Sequence, residues 1–433
     1  MRGIYKYFLI FFFLITIKCY PQQYWLSLTA ATNQNLWKCC FIDTLNGWAV
    51  GDSGTIVHTT NGGNSWVMQN SNLIDYMVSV NFLNARLGWA LGWGLDTNFY
   101  GTYILKTTNG GNTWDTTRYP ISDYYIQSIN FRDSLTGYMG GGPALLLKTT
   151  DNGVSWNPCD KDTTSIVSKF PIRNFRFFNS RYGFAMGGVM DIAGVLWRTT
   201  NSGLFWDVTP IAPEPVNDIR IFDSLNILAI AGDYEYGASI LRTSNGGQNW
   251  IYKNMGIFGV PTSLSFRTYS EGWASMGYLS KLLNTTDGGV SWFLFDTPDS
   301  SKIFDLVFLN DKFGIGVGLN GKVIKFNPAS VNVNNISSVP YKYNLAQNYP
   351  NPFNPVTNIE YSISEISSVE LKVYDLLGKE ISTLYKGIKS SGKYTIRFSG
   401  GNLPSGIYFY KLSATNLKTG IVKHETKKMI LLK

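Results

Sequence analysis

One octapeptide recurs six times along this chain, and that repetition limits the fold more than any other feature. Residues 59–66 read TTNGGNSW, followed by TTNGGNTW (107–114), TTDNGVSW (149–156), TTNSGLFW (199–206), TSNGGQNW (243–250) and TTDGGVSW (285–292). The closing tryptophans are 48, 42, 50, 44 and 42 residues apart. A period in the mid-forties has the length of a four-stranded propeller blade.

A second element recurs independently, an apolar residue followed six positions later by Gly and a short small-apolar strand. It runs from Phe41 with GWAVG through Phe82, Phe131, Phe177, Ile221 and Phe266 to Phe308 with GIGVG, seven copies in all, the fifth reading ILAIAG (227–232) with Ile in place of the opening Gly. From each octapeptide Trp to the next of these residues is 15 to 21 positions, and Trp25 stands 16 before Phe41. The segment around Trp25 is therefore expected to supply the outer strand that the seventh unit lacks after residues 323–326. A ring closed in this way has no open sheet edge at its seam. The sequence thus predicts an all-β chain with a seven-bladed β-propeller over 22–327.

Each unit reads as four strands, A to D. Strand A alternates (VSVNF, QSINF), strand B is GWAVG, strand C is TIVHT, and the octapeptide turns C into D. In that turn the Asn or Asp bonds its own backbone and the second Gly supplies positive φ. The structural positions are Asn61 and Trp66, Asn109 and Trp114, Asp151 and Trp156, Asn201 and Trp206, Asn245 and Trp250, Asp287 and Trp292. With the Trp covering the hairpin, these octets resemble the Asp-box (BNR) repeat. The whole unit, GWAVGDSGTIVHTTNGGNSW, resembles the propeller of photosystem II stability and assembly factors.

The formal net charge of +8 suggests nucleic acid until it is located. Residues 1–19 carry +3 and residues 343–433 carry +6, leaving −1 on the body between. A nucleic-acid binder concentrates basic charge on its folded surface, so DNA and RNA are not expected partners. Residues 1–6 are basic and 7–17 apolar and uncharged, a run too short to span a bilayer but suited to a signal peptide. Residues 1–20 are read as that leader, with no transmembrane segment in the mature chain. Cys39, Cys40 and Cys159 would remain. Alternation points one of the adjacent pair inward and one away, and a Cys40–Cys159 bridge is left open.

Catalysis finds little footing. A sialidase resemblance would require an F/Y-R-I-P motif, but residues 170–173 read FPIR. Arg198 and Arg242 occupy the repeat position of Lys106 and Lys148 and are read as facing the blade surface, and His58 is another repeat position. No HExxH, P-loop, G-x-S-x-G or CxxC occurs, so no metal and no cofactor is expected. What remains is binding. The stretch from the last Gly of strand B to the octapeptide Thr, which contains the B–C loop, takes 8 residues in units 1 and 6 but 15, 12 and 11 in units 2, 4 and 5. Insertions collect where ligands are met. The inserted residues Trp93, Asp96, Phe99, Tyr100, Asp191, Asp233, Tyr234, Glu235 and Tyr236 are one candidate surface. The polar side of strand A (Lys38, Asn174, Arg176, Asp218, Arg220, Asp305) is another. Resemblance to the assembly factors adds an arginine patch, for which Arg173, Arg176 and Arg220 are the candidates.

Residues 328–342 read as a linker. Beyond it the period is lost, and period-2 strands between Gly and Pro turns predict a small β-sandwich over 343–433. QNYPNPFNP, VYDLLGKE, SGIYFYKL and the terminal KKMILLK resemble the C-terminal sorting domain of the type IX (Por) secretion system. That resemblance implies the type IX machinery as partner, passage through the periplasm, and arrival outside or on the outer-membrane surface of a Gram-negative cell. The expected function is a non-enzymatic binding propeller with a protein or glycan ligand. A sialidase-like glycoside hydrolase and an assembly or scaffold factor are the alternatives.

Overall fold

The computed structural model describes residues 24–96, 99–329, 343–389, 392–417 and 420–432. The expected leader and most of the expected linker lie outside these residues. From Trp25 to Phe326 the described residues form seven antiparallel sheets, six of them of four strands. Each is numbered here by its strand A: Leu36–Phe41, Tyr76–Phe82, Tyr125–Phe131, Ile172–Phe177, Val216–Ile221, Ser263–Phe266 and Ile303–Phe308. Sheet 4 gains a fifth strand, Asp160–Lys161, parallel to its outer strand. Sheet 7 takes its outer strand from the start of the chain: Trp25 faces Phe326 and Thr29 faces Lys322.

Aromatic packing explains the repeat. The ring of Trp66 meets Phe41 edge-on at 5.9 Å, and the pairs Trp114–Phe82, Trp156–Phe131, Trp206–Phe177 and Trp292–Phe266 repeat it at 5.8, 5.8, 6.2 and 6.3 Å. Trp25 makes the same contact with Phe308 at 5.4 Å. These tryptophans therefore pack on the strand A aromatic, between sheets, where the sequence suggested only a lid over the hairpin.

The turns behave as their chemistry dictates. In the first, Thr59 Oγ1 donates to Asn61 Oδ1, the Gly63 and Asn61 N–H groups donate back to Thr59 Oγ1, and Ser65 N–H donates to Asn61 Oδ1. Gly63 has φ +80°. Two of the six turns use Asp. Bonds from Ser155 and Thr149 hold Asp151 down at about 2; burial works to raise Asp287, but bonds from Ser291 and Thr285 leave it lowered. A carboxylate that is a stronger acid folded than unfolded stabilises above its unfolded pKa of about 4, and that contribution is lost as pH falls through the folded value. The Tm of the native chain should therefore drop more between about pH 5 and pH 2.5 than that of Asp151→Asn/Asp287→Asn. Parallel curves from thermal melts would refute the account.

Both faces of strand A are covered, because neighbouring sheets flank it. Cys39 packs in the cluster between sheets 7 and 1, and Cys40 in the cluster between sheets 1 and 2. Neither points away from the core, contrary to simple alternation. Cys159 lies in a third cluster and all three are free thiols, so the Cys40–Cys159 bridge is not formed. Burial raises Cys40 to about 11 and Cys159 to about 12.

Residues 344–431 form two further sheets, of three and four strands. They share one core that includes Leu345, Ile359, Tyr361, Val369, Leu371, Phe398, Tyr410, Leu412, Met429 and Leu431. Among the described residues no helix is long and apolar enough to cross a membrane.

Candidate functional site

The fold separates the two candidate surfaces. Every octapeptide turn bonds to the A–B turn of its own sheet, as in Gly62 N–H to Leu45 O and Gly246 N–H to Leu225 O, so these two sets of turns share one face. The insertions lie at the other end, and they extend strands rather than loops. Strands B and C of sheet 2 run to Gly88–Asp96 and Phe99–Thr107, and those of sheets 4 and 5 close over 190–192 and 234–236.

The inserted residues divide by environment. Trp93 donates its indole N–H to Ile126 O at 2.8 Å and packs edge-on against Tyr125 of sheet 3, a joint between sheets rather than a free platform. Phe99 lies against Tyr103 with Arg118 above it at 4.8 Å. Asp233 is a correction: it is 1% exposed, and its Oδ1 accepts the Glu235 and Tyr236 N–H groups. It builds the turn that presents its neighbours. Asp191 is exposed at φ +59° in the sheet 4 turn. Asp96 ends its strand, and its side chain is outside the described residues. Tyr100, Tyr234 and Tyr236 remain as exposed rings on this face, at 46, 54 and 51%.

The axis carries the second candidate. Strand A has a β-bulge in sheets 1 to 5 and sheet 7, as between Ile172 and Asn174. Bulge residues of neighbouring sheets touch: the rings of Trp37 and Phe304 lie 4.4 Å apart, tilted by 35°, and Arg173 donates to Asn217 Oδ1 at 3.1 Å. On the octapeptide side of the bulges lies a cavity of about 330 Å³, lined by Lys38, Arg176, Arg220 and Asp305 among others. Arg173 is not in that lining. The expected three-arginine patch is therefore two arginines and one bulge residue: Arg173 is three positions from Arg176, which alternation sets on opposite faces, and it falls at the register shift between Ile172 and Asn174.

Charge in the cavity is mostly paired. Lys38 Nζ lies 3.3 Å from Asp305 Oδ1, and an Arg176 guanidinium nitrogen 2.8 Å from Asp218 Oδ2. Burial works against the charge on Arg176, but Asp218 and then Asp305 outweigh it and raise its pKa. Side chains of one strand A also accept N–H groups of the next: Ser79 and Asn81 from Ile129 and Phe131, Ser263 and Ser265 from Leu306 and Phe308. These serines and the asparagine are not among the residues that the sequence singles out. Their signal is the S-x-N or S-x-S pattern (79–81, 263–265) that alternates with the apolar positions of strand A.

The strand C cations are structural. Lys106 donates to Asn152 O, Lys148 to Ser202 O, Arg198 to Gly246 O and Arg242 to Gly288 O, each reaching the fourth residue of the next sheet's octapeptide. They clasp neighbouring sheets rather than simply facing solvent. His58, at the same position in sheet 1, stacks on Trp48 at 4.4 Å, and burial lowers its pKa. Among the described residues, no group of three or more His, Cys, Asp or Glu is placed to hold a metal ion.

Two family models match the chain. Residues 347–430 match "Secretion system C-terminal sorting domain", and residues 18–119 and 72–209 match "Photosynthesis system II assembly factor YCF48". Among solved structures, YCF48 bound to D1 peptide is 20% identical with a TM-score of 0.57, over 70% of this chain and 97% of that one. YCF48 from Cyanidioschyzon merolae is 17% identical with a TM-score of 0.57, over 70% of this chain and 99% of that one. The GH74 xyloglucanase from Xanthomonas campestris is 11% identical with a TM-score of 0.55, over 78% of this chain and 59% of that one. No curated protein matches. At these identities the structural likeness concerns the fold: an all-β propeller, here followed by a sorting domain.

Proposed function

We propose that this chain is a non-enzymatic binding protein, a closed seven-bladed ring whose hairpin face meets a protein or glycan partner outside the cell. Its C-terminal unit is read as a β-sandwich that hands the chain to the type IX secretion machinery, which delivers it through the periplasm to the outer-membrane surface or beyond. The match of residues 347–430 to a secretion-system sorting domain supports the route. The observation that carries the binding reading is the hairpin face: Tyr100, Tyr234 and Tyr236 are exposed rings on extended hairpins whose bases are fixed by Trp93 and Asp233. Rings held rigidly at low entropic cost are favoured interface anchors. The similarity to YCF48 bound to D1 peptide favours a protein over a glycan.

One fractionation experiment tests both parts. Native chain should reach the surface or medium and capture a partner there. Chain lacking 343–433 should stop in the periplasm, and the Tyr100→Ala/Tyr234→Ala/Tyr236→Ala chain should be exported but lose the partner at least tenfold. Surface display of the truncated chain, or undiminished capture by the triple variant, would reject the corresponding half. Turnover of any glycan on an array would favour the hydrolase alternative instead.

A further inference from the structure

Arg220 is a cation without a carboxylate in a cavity where the other charges are paired. Asp305 is occupied by Lys38 and by the Cys39 N–H, and Asp218 by Arg176 and the Leu264 N–H. The Arg220 side chain is exposed, its guanidinium lies over the faces of Phe222 and Phe266 at 5.8 and 5.9 Å, and Tyr269 is its other electrostatic neighbour. Burial, and then the neighbouring Arg176, lower its pKa.

The same cavity holds a break in the side-chain ties between inner strands. Ser128 and Asn130 occupy in sheet 3 the places that Ser79 and Asn81 occupy in sheet 2. Ser79 and Asn81 accept N–H groups from the next strand, but the side chains of Ser128 and Asn130 have no hydrogen-bond partner among the described residues. The Phe175 N–H that corresponds to Ile129 N–H goes instead to Asn174 Oδ1. A hydroxyl, an amide and an unpaired guanidinium therefore line one cavity of about 330 Å³, a volume in the range of small-molecule sites.

We propose that Arg220, Asn130 and Ser128 bind a small organic oxyanion on the octapeptide side of the bulges. The guanidinium fork presents parallel donors to a carboxylate or phosphate, and the amide and hydroxyl take hydrogen bonds from groups beside the charge. This site lies across the bulges from the hairpin face and stands or falls independently of that face.

The test is titration of the full chain with acetate, glucuronate and inorganic phosphate, followed by calorimetry and protein NMR. At least one probe should bind saturably, and the tighter of the carboxylates or phosphate identifies the anion class. Arg220→Gln and Asn130→Ala should each weaken that probe at least tenfold, while Arg173→Gln, at the bulge, leaves it within twofold. Thermal melts establish that each variant is folded, and Arg220→Lys replaces Arg220→Gln if the latter is not. No saturable binding of any probe, or binding unchanged by both Arg220 and Asn130 substitutions, overturns the proposal.

Discussion

Trp25→Ala should cost about 3–5 kcal/mol, the range for truncating a buried Trp, although Trp25 belongs to no octapeptide. Its ring is 3% exposed and packs edge-on against Trp273, Phe308 and Phe326 at 5.6, 5.4 and 5.6 Å. Its strand pairs over five residues with Lys322–Phe326, so the cavity left by Ala would open at the joint between the first strand and sheet 7. That joint closes long-range loops, and a weakened seam leaves sheet 7 with an exposed edge. Urea unfolding would measure the loss, with Trp206→Ala, at 0% exposure in sheet 4, as the reference within the repeat. A loss below about 1 kcal/mol, set against the large-to-small range, would mean that the strand is dispensable and sheet 7 is held elsewhere.

The architecture was readable because its devices repeat. Six octapeptides and seven strand B motifs fix the period, and the single offset between them points to Trp25. The site was less readable because its determinants do not repeat. Arg173 and Arg176 were grouped by residue type, but they are three residues apart, and period-2 alternation already sets such residues on opposite faces; Arg173 is also the extra residue of the bulge between Ile172 and Asn174, which no residue type announces. Asp233 looked like a ligand because it is acidic and inserted, yet an Asx turn needs the same residue. The ties between strands were hidden for another reason. Whether Ser128 accepts an N–H depends on what Asn174 does in the next sheet, 46 positions away. Local pattern carries strand identity, whereas satisfaction of the strand edge is settled between units.

The glycine that opens strand B shows how closely one unit constrains itself, and it supports the second large effect. A Cβ on Gly88 would stand 2.4 Å from ring atoms of Phe82, and Gly47, Gly137, Gly183, Gly272 and Gly314 face their own Phe in the same way. Sheet 5 has no such glycine: Ile227 stands there, opposite Ile221. Ring and glycine thus vanish together, since the flat ring needs the space that a missing side chain leaves. Gly88→Ala alone should cost about 2–3 kcal/mol, toward the upper end for overpacking, because Phe82 is held by the stacked Trp48 at 3.6 Å and by Trp114 edge-on. Phe82→Ile alone should cost about 1–2 kcal/mol as a partial cavity. Combining Phe82→Ile with Gly88→Ile recreates the sheet 5 pair and should be less damaging than the sum of Phe82→Ile alone and Gly88→Ile alone by more than about 1 kcal/mol, within the range for residues in contact. Stabilities that add to within about 0.5 kcal/mol, as for distant sites, would show that the two positions respond to other neighbours and that the pairing in sheet 5 is coincidental.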